Sequence, residues 1–210
     1  MKTMRADFDI ISSLVNNEAK VLDVGCDTGE LLSHLKYEKK CDTRGIEKSM
    51  IGVRESVKAG HSVMQGDADT DLQFYPDKSF DVVILSKTIQ ATQAPDEVLK
   101  QITRIGKKAI IGFPNFGHYN VLRNLAFRRR MPVTEALPLT WYGTPNIHFC
   151  TIRDLVELCE KLNLQIEDYV ILNKNGKVLN AAPLSYRASW FGADAILTIS
   201  EKSKCHNAGK

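Results

Sequence analysis

Three patterns are missing from this sequence: a Cys-x-x-Cys pair, an apolar run near the ~18 residues of a membrane span, and a Gly-x-x-x-x-Gly-Lys-Ser/Thr loop. Each absence excludes a class. Cys26, Cys41, Cys150, Cys159 and Cys205 are odd in number and irregular in spacing, which argues for reduced thiols over a disulfide frame or a zinc site. Met1-Lys2-Thr3-Met4-Arg5-Ala6-Asp7 leads into no apolar signal segment, so a cytoplasmic protein without membrane attachment is expected. A surplus of one charge sign is also missing. The 28 Lys and Arg against 25 Asp and Glu give a net charge of +3, short of the basic face that nucleic-acid binding requires. The Arg128-Arg129-Arg130 run reads as a solvated turn or helix end. Internal repeats and low-complexity blocks are absent. At 210 residues the chain suits one α/β domain over residues 1–200, with 201–210 as a flexible polar tail.

What is present is concentrated in Val21-Leu22-Asp23-Val24-Gly25-Cys26-Asp27-Thr28-Gly29. A short apolar run, two glycines and then Glu30-Leu31-Leu32-Ser33-His34-Leu35 predict a buried strand, a tight turn and a helix capped by Thr28. Glycine admits positive φ and lets a ligand lie on the backbone, while the helix start offers free N–H groups. With Asp23 before the first glycine and no lysine in the loop, a triphosphate fits poorly. A nucleoside bearing an amino-acid end fits well.

Further along, strands are expected at 20–24, 43–47, 61–65, 80–85 and 108–113, with helices over 6–15, 28–35, 49–58 and 96–105 between them. An amphipathic helix at 151–163 precedes two β-rich runs, 165–172 and 192–200, joined by a short polar connection at Asn173-Lys174-Asn175-Gly176. Alternation of this kind gives a parallel sheet with helices on both faces. A last strand reached by a short connection must pair antiparallel. The expectation is a Rossmann-like class I methyltransferase fold: seven strands, mostly parallel, the last antiparallel.

In open α/β sheets the ligand sits at the carboxyl ends of the strands. Three elements meet there: the Asp23–Gly29 loop, Glu47 ending the second strand, and Asp67-Ala68 after the third. Glu47 can accept two ribose hydroxyls and Asp67 an adenine amino group. This pattern resembles S-adenosylmethionine-dependent methyltransferases, with one departure. Asp27 stands where those proteins usually have glycine; it could bind the cofactor's amine or weaken binding. The implied cofactor set, for S-adenosylmethionine or S-adenosylhomocysteine, is Asp23, Gly25, Cys26, Asp27, Gly29, Glu47, Lys48, Asp67, Ala68 and Ser86. No metal ligand set is recognised.

Phe80-Asp81-Val82-Val83-Ile84-Leu85-Ser86-Lys87-Thr88-Ile89-Gln90-Ala91 and Ile111-Gly112-Phe113-Pro114-Asn115-Phe116-Gly117-His118-Tyr119 narrow the match. So do Arg130-Met131-Pro132-Val133-Thr134-Glu135-Ala136-Leu137-Pro138 and Thr144-Pro145-Asn146-Ile147-His148-Phe149-Cys150-Thr151. All resemble the MetW family of methionine biosynthesis. That resemblance implies a methyltransferase-like protein working beside homoserine O-acyltransferase. Residues 113–150 form an insert rich in aromatics and stiffened by Pro114, Pro132, Pro138 and Pro145. It reads either as an acceptor lid or partner-docking surface, or as a flap completing the core.

If the acceptor must lose a proton, His118, Tyr119, Tyr142 and His148 are the candidate bases. The Asn-Pro-Pro-Tyr signature of amino-methylating nucleic-acid enzymes is absent after the fourth strand. Two readings therefore stand together: methyl transfer to a small molecule, and a non-catalytic cofactor sensor regulating a partner acyltransferase. A nicotinamide-dependent oxidoreductase is disfavoured by the Gly25-x-x-x-Gly29 spacing and the antiparallel last strand.

Overall fold

A computed structural model describes residues 6–134 and 136–202. The elements run α1 (Ala6–Leu14), β1 (Lys20–Val24), α2 (Glu30–Lys39), β2 (Asp42–Glu47), α3 (Met50–Lys58), β3 (Ser62–Gln65), β4 (Phe80–Ser86), α4 (Pro95–Ile105) and β5 (Gly106–Pro114). They continue with α5 (Tyr119–Arg123), α6 (Ile152–Lys161), β6 (Leu164–Leu172), α7 (Tyr186–Phe191) and β7 (Asp194–Glu201). One seven-stranded sheet has the order β3-β2-β1-β4-β5-β7-β6. β1 to β5 pair in parallel, and β7 lies antiparallel between β5 and β6. This is the class I methyltransferase arrangement, as the alternation predicted.

Successive strand residues face opposite sides, and both sides are packed. Leu22, Val24, Val83 and Leu85 meet α4 and α6 on one side. Val21, Val82 and Ile84 meet Phe8 and Ile11 of α1 and Leu31 and Leu35 of α2 on the other. Val82 to Leu85 are all buried, which makes β4 the doubly covered strand its apolar run predicts. Pro95 opens α4, where its missing N–H costs nothing.

Two local expectations fail. Thr28 does not cap α2; Gly29 occupies the cap position with no side-chain bond, because a turn from Gly29 N to Cys26 O (2.9 Å) closes first. The link from β6 to β7 is not short either. Asn173–Gly176 makes a tight turn that brings Val178 back against Leu172, and the chain then crosses through α7 before β7. No element was expected over 186–191, because α7 has only six residues, too few for helical periodicity to register. Of the expected tail, Glu201 ends β7 and residues 203–210 lie outside the described residues. Among the described residues no helix is long and apolar enough to cross a membrane.

Candidate functional site

The turn after β1 is set by the backbone. Gly25 has φ 79°, and its N–H donates to Ile46 O at 2.8 Å, tying the loop to β2. A Cβ at Gly25 would fall 2.4 Å from Thr88 Oγ1, so only glycine fits against the residues following β4. Gly29, also at φ 79°, backs onto His61 and Ser56, where a Cβ would come within 2.8 Å of His61 Cδ2. Asp27 takes the left-handed conformation (φ 47°) with an exposed side chain.

Glu47 joins this loop to the next helix. Its Oε2 accepts from Asp27 N at 2.9 Å and its Oε1 from Ser49 N at 2.7 Å, and each oxygen keeps a further lone pair. Lys48 Nζ pairs with Asp67 Oδ2 at 2.8 Å, while Asp67 Oδ1 accepts from Asp69 N at 3.0 Å. The Lys48 hydrogen bond, ahead of the opposing effect of burial, holds the Asp67 carboxyl below the usual carboxylate range. Asp69 accepts from Gln93 N and Ala94 N at the start of α4.

Gly25, Glu47, Lys48, Asp67, Ala68 and Thr88 line a cavity of about 440 Å³ at the carboxyl edge of the sheet. A smaller one of about 40 Å³ is lined by Asp23, Gly25, Cys26, Asp27 and Ser86. Gly25 borders both, so the two lie side by side and together make one candidate cleft. Asp23 is buried on the α1–α2 side, and Ser86 Oγ is buried with no hydrogen-bond partner among the described residues. Cys26 packs its sulfur over Gly45, where a Cβ would approach to 2.5 Å. Burial first, then Asp23 and Glu47, push the Cys26 thiol up to about 12, so it stays protonated and non-nucleophilic. Nine of the ten predicted cofactor residues thus border one cleft; Gly29 stands behind it.

The family model described as "Methionine biosynthesis protein MetW" matches residues 5–199. This chain belongs to the MetW family. It is 29% identical over 177 residues to the bifunctional methionine biosynthesis protein MetXA/MetW of Rhodopirellula baltica, covering 80% of this chain. The match spans only 28% of that curated relative's length. Among solved structures, a TehB-like SAM-dependent methyltransferase from Corynebacterium glutamicum superposes with a TM-score of 0.61 at 17% identity, over 95% of this chain and 89% of that one. A SAM-dependent methyltransferase from Thermotoga maritima gives 0.64 at 20% identity, over 94% and 88%. The [4+2]-cyclase SpnF gives 0.65 at 16% identity, over 92% and 80%. At these identities the likeness is one of fold, and the cyclase illustrates that the fold does not dictate the reaction.

The four candidate bases of this MetW-family chain do not line the cleft. His118 is buried and caps α5, its Nδ1 accepting from Asn120 N at 3.3 Å, and it opens into a different cavity past β5. Tyr119 packs on Phe191 with ring centroids 5.9 Å apart. Tyr142 is exposed beside Trp141, and the exposed His148 ring meets Gln93 O at 3.3 Å. The sequence separates these residues from the cleft by a loop too irregular for periodicity to place them.

Lys87, Thr88 and Asp69 were not assigned to the site, yet they line it. Their signal was position alone, since each follows the end of a parallel strand. Lys87 and Pro145 also border an apolar cavity of about 200 Å³ with Phe116, Trp141 and Phe149. Gln90 seats this part of the insert. Its Nε2 donates to Pro114 O at 3.0 Å, and its backbone carbonyl accepts from Ile147 N (2.8 Å) and His148 N (3.0 Å).

Proposed function

We propose that this MetW-family protein binds S-adenosylmethionine or S-adenosylhomocysteine in the candidate cleft and acts in methionine biosynthesis beside homoserine O-acyltransferase. One observation carries the binding: a 440 Å³ cavity and a 40 Å³ cavity meet at Gly25, with Glu47 and Asp67 lining the first and Asp23 and Ser86 the second. The donor set suits the ligand. Glu47 would accept the ribose hydroxyls, Asp67 or its neighbours the adenine edge, and Asp23 with Ser86 the amino-acid end, over a backbone turn that Gly25 packs closely against Thr88. The exposed Asp27 lies at the rim of the smaller cavity, where its carboxylate favours an ammonium group. The acyltransferase role is favoured by the fused MetXA/MetW name of the relative and by the absence of the four candidate bases from the cleft.

Methyl transfer to a small molecule is the second reading, and the apolar cavity that shares Lys87 and Pro145 with the cleft favours it. Bound in the cleft, S-adenosylmethionine would supply an electrophilic methyl on a sulfonium. The chain's part would be to orient an acceptor in line and exclude water, which Phe116, Trp141 and Phe149 are suited to do.

Calorimetric titration with both adenosyl compounds, and with NADH as control, tests the site. Micromolar affinity that drops at least tenfold in Glu47→Ala is expected; tight NADH binding, or affinity unchanged in Glu47→Ala and Asp23→Ala alike, overturns it. The role is separated by assaying homoserine O-acyltransferase with and without the chain. An acyltransferase indifferent to it leaves methyl transfer as the reading to pursue.

A further inference from the structure

Past β5 the carboxyl edge of the sheet holds a cavity of about 400 Å³ that shares no lining residue with the adenosyl cleft. It lies between α5 with the π-helical turn Asn124–Arg128 on one side and the Asn173–Gly176 turn on the other. Arg123, Arg128 and Lys174 line it, and none of the three forms an ion pair or hydrogen bond with a described residue. Among the described residues Asp194 is the one carboxylate lining it, against three cations. Arg128 belongs to the arginine run that reads as a solvated helix end; it is exposed at the end of that turn and also borders this cavity.

His118 supplies an independent observation. Its residue is only 5% exposed, and its Nδ1 accepts the Asn120 N–H, which puts the ring proton on Nε2 in the neutral form. Burial, then the nearby Lys174, push its pKa down, so the ring stays an uncharged donor at neutral pH. Nε2 has no partner among the described residues, while the ring lines the cavity. Facing the cavity, the Nε2–H is a neutral donor open to an acceptor bound there. The Asn173 side chain fixes the turn that presents Lys174, its Oδ1 accepting from Asn175 N at 2.9 Å and Lys177 N at 3.1 Å.

We propose that this cavity is a second small-molecule site, for an oxyanion carrying a carboxylate or phosphate. Arg123, Arg128 and Lys174 would neutralise it, and the His118 Nε2–H would hydrogen-bond it. Guanidinium pairs favour planar or tetrahedral oxyanions over halide because several N–H donors can be matched at once. The site does not depend on the adenosyl reading, since the two share no residue.

Titration of the full chain with inorganic phosphate and with succinate, glucose serving as the neutral control, tests this. Saturable one-to-one binding of at least one anion is expected, weakened at least about tenfold in the Arg128→Gln/Lys174→Gln double variant, as lost charge-assisted bonds require. Binding of phosphate alone would assign a phosphate ester, and of succinate alone a carboxylate. Ring-nitrogen NMR of His118 in the unmodified chain should show its Nε2 signal shifting with the bound fraction. No saturable binding of either probe, binding undiminished in the double variant, or an Nε2 signal indifferent to ligand would overturn the proposal. Adenosyl affinity should be unchanged in the double variant.

Discussion

On the β3-β2-β1-β4 side, the carboxyl edge of the sheet is shaped by the backbone. Gly25 and Asp27 sit at positive φ, Gly25 N reaches across to Ile46 O, and Glu47 gathers two amides. On the β5-β7-β6 side, buried amide side chains do that work. Asn115 Oδ1 accepts from Gly117 N (2.9 Å) and Ile152 N (3.3 Å), and its Nδ2 donates to Ser189 O (3.1 Å) and Gly192 O (2.8 Å). Gln90 likewise pins the insert to the end of β5. The difference teaches where adaptability lies. A backbone-built pocket restricts both its shape and its sequence, whereas loops held by a few side chains can change lining while the sheet stays intact.

The comparison would break most visibly at Asn115. Asn115→Leu should destabilise the fold by about 3 kcal/mol or more in urea unfolding, because four buried or part-buried backbone groups lose partners at once. Adenosyl affinity of the remaining folded protein should stay within about twofold. A parallel loss of affinity would mean that the two sides act as one unit.

A smaller effect is expected on the other side. Gly25→Ala puts a residue at φ 79° and a Cβ against Thr88, costing about 2 kcal/mol of stability. It should weaken adenosyl binding at least tenfold and leave the phosphate or succinate titration as it was. Normal adenosyl affinity in this variant would show that the glycine serves packing alone.

The smallest effect is alkaline, and both sides share it. Burial raises Cys26 to about 12 and Cys159 of α6 to about 11 from an ordinary value near 9. Below about pH 9 these thiols are protonated in folded and unfolded chains alike, and their contribution is fully present. Above it the unfolded chain releases protons that the folded chain retains, so stability falls until the folded values are passed. Urea midpoints at about pH 8 and about pH 10 should differ in that direction, and Cys26→Ala should flatten the slope. Stability rising across that interval would contradict the buried-thiol account.

Legibility followed the same division. The apolar run Val82–Leu85 and the Asp23, Glu47 and Asp67 strand ends could be read directly, because parallel strands in alternating βα order put their carboxyl ends along one edge. Thr88 and Lys87 escaped because their role depends on Gly25 packing against the residues after β4, a contact between segments about 60 residues apart in sequence. That the candidate bases His118 and Tyr119 lie outside the cleft was not legible, because no short-range pattern orients an insert held by Gln90 and Asn115. Helix α7 was missed because six residues carry too little periodicity.

By itself the sequence determined the alternating order of elements and the acids at the strand ends. These follow from local periodicity, glycine conformation and the handedness of crossovers, each acting over a few residues. Only the tertiary structure decided which side chains share a cavity. It turned His118 away from the candidate cleft, brought Arg128 and Lys174 to one cavity, and left Lys87 at the join between cleft and insert. Those outcomes rest on packing between segments far apart in the chain, where burial and hydrogen-bond geometry, rather than spacing, select the neighbours.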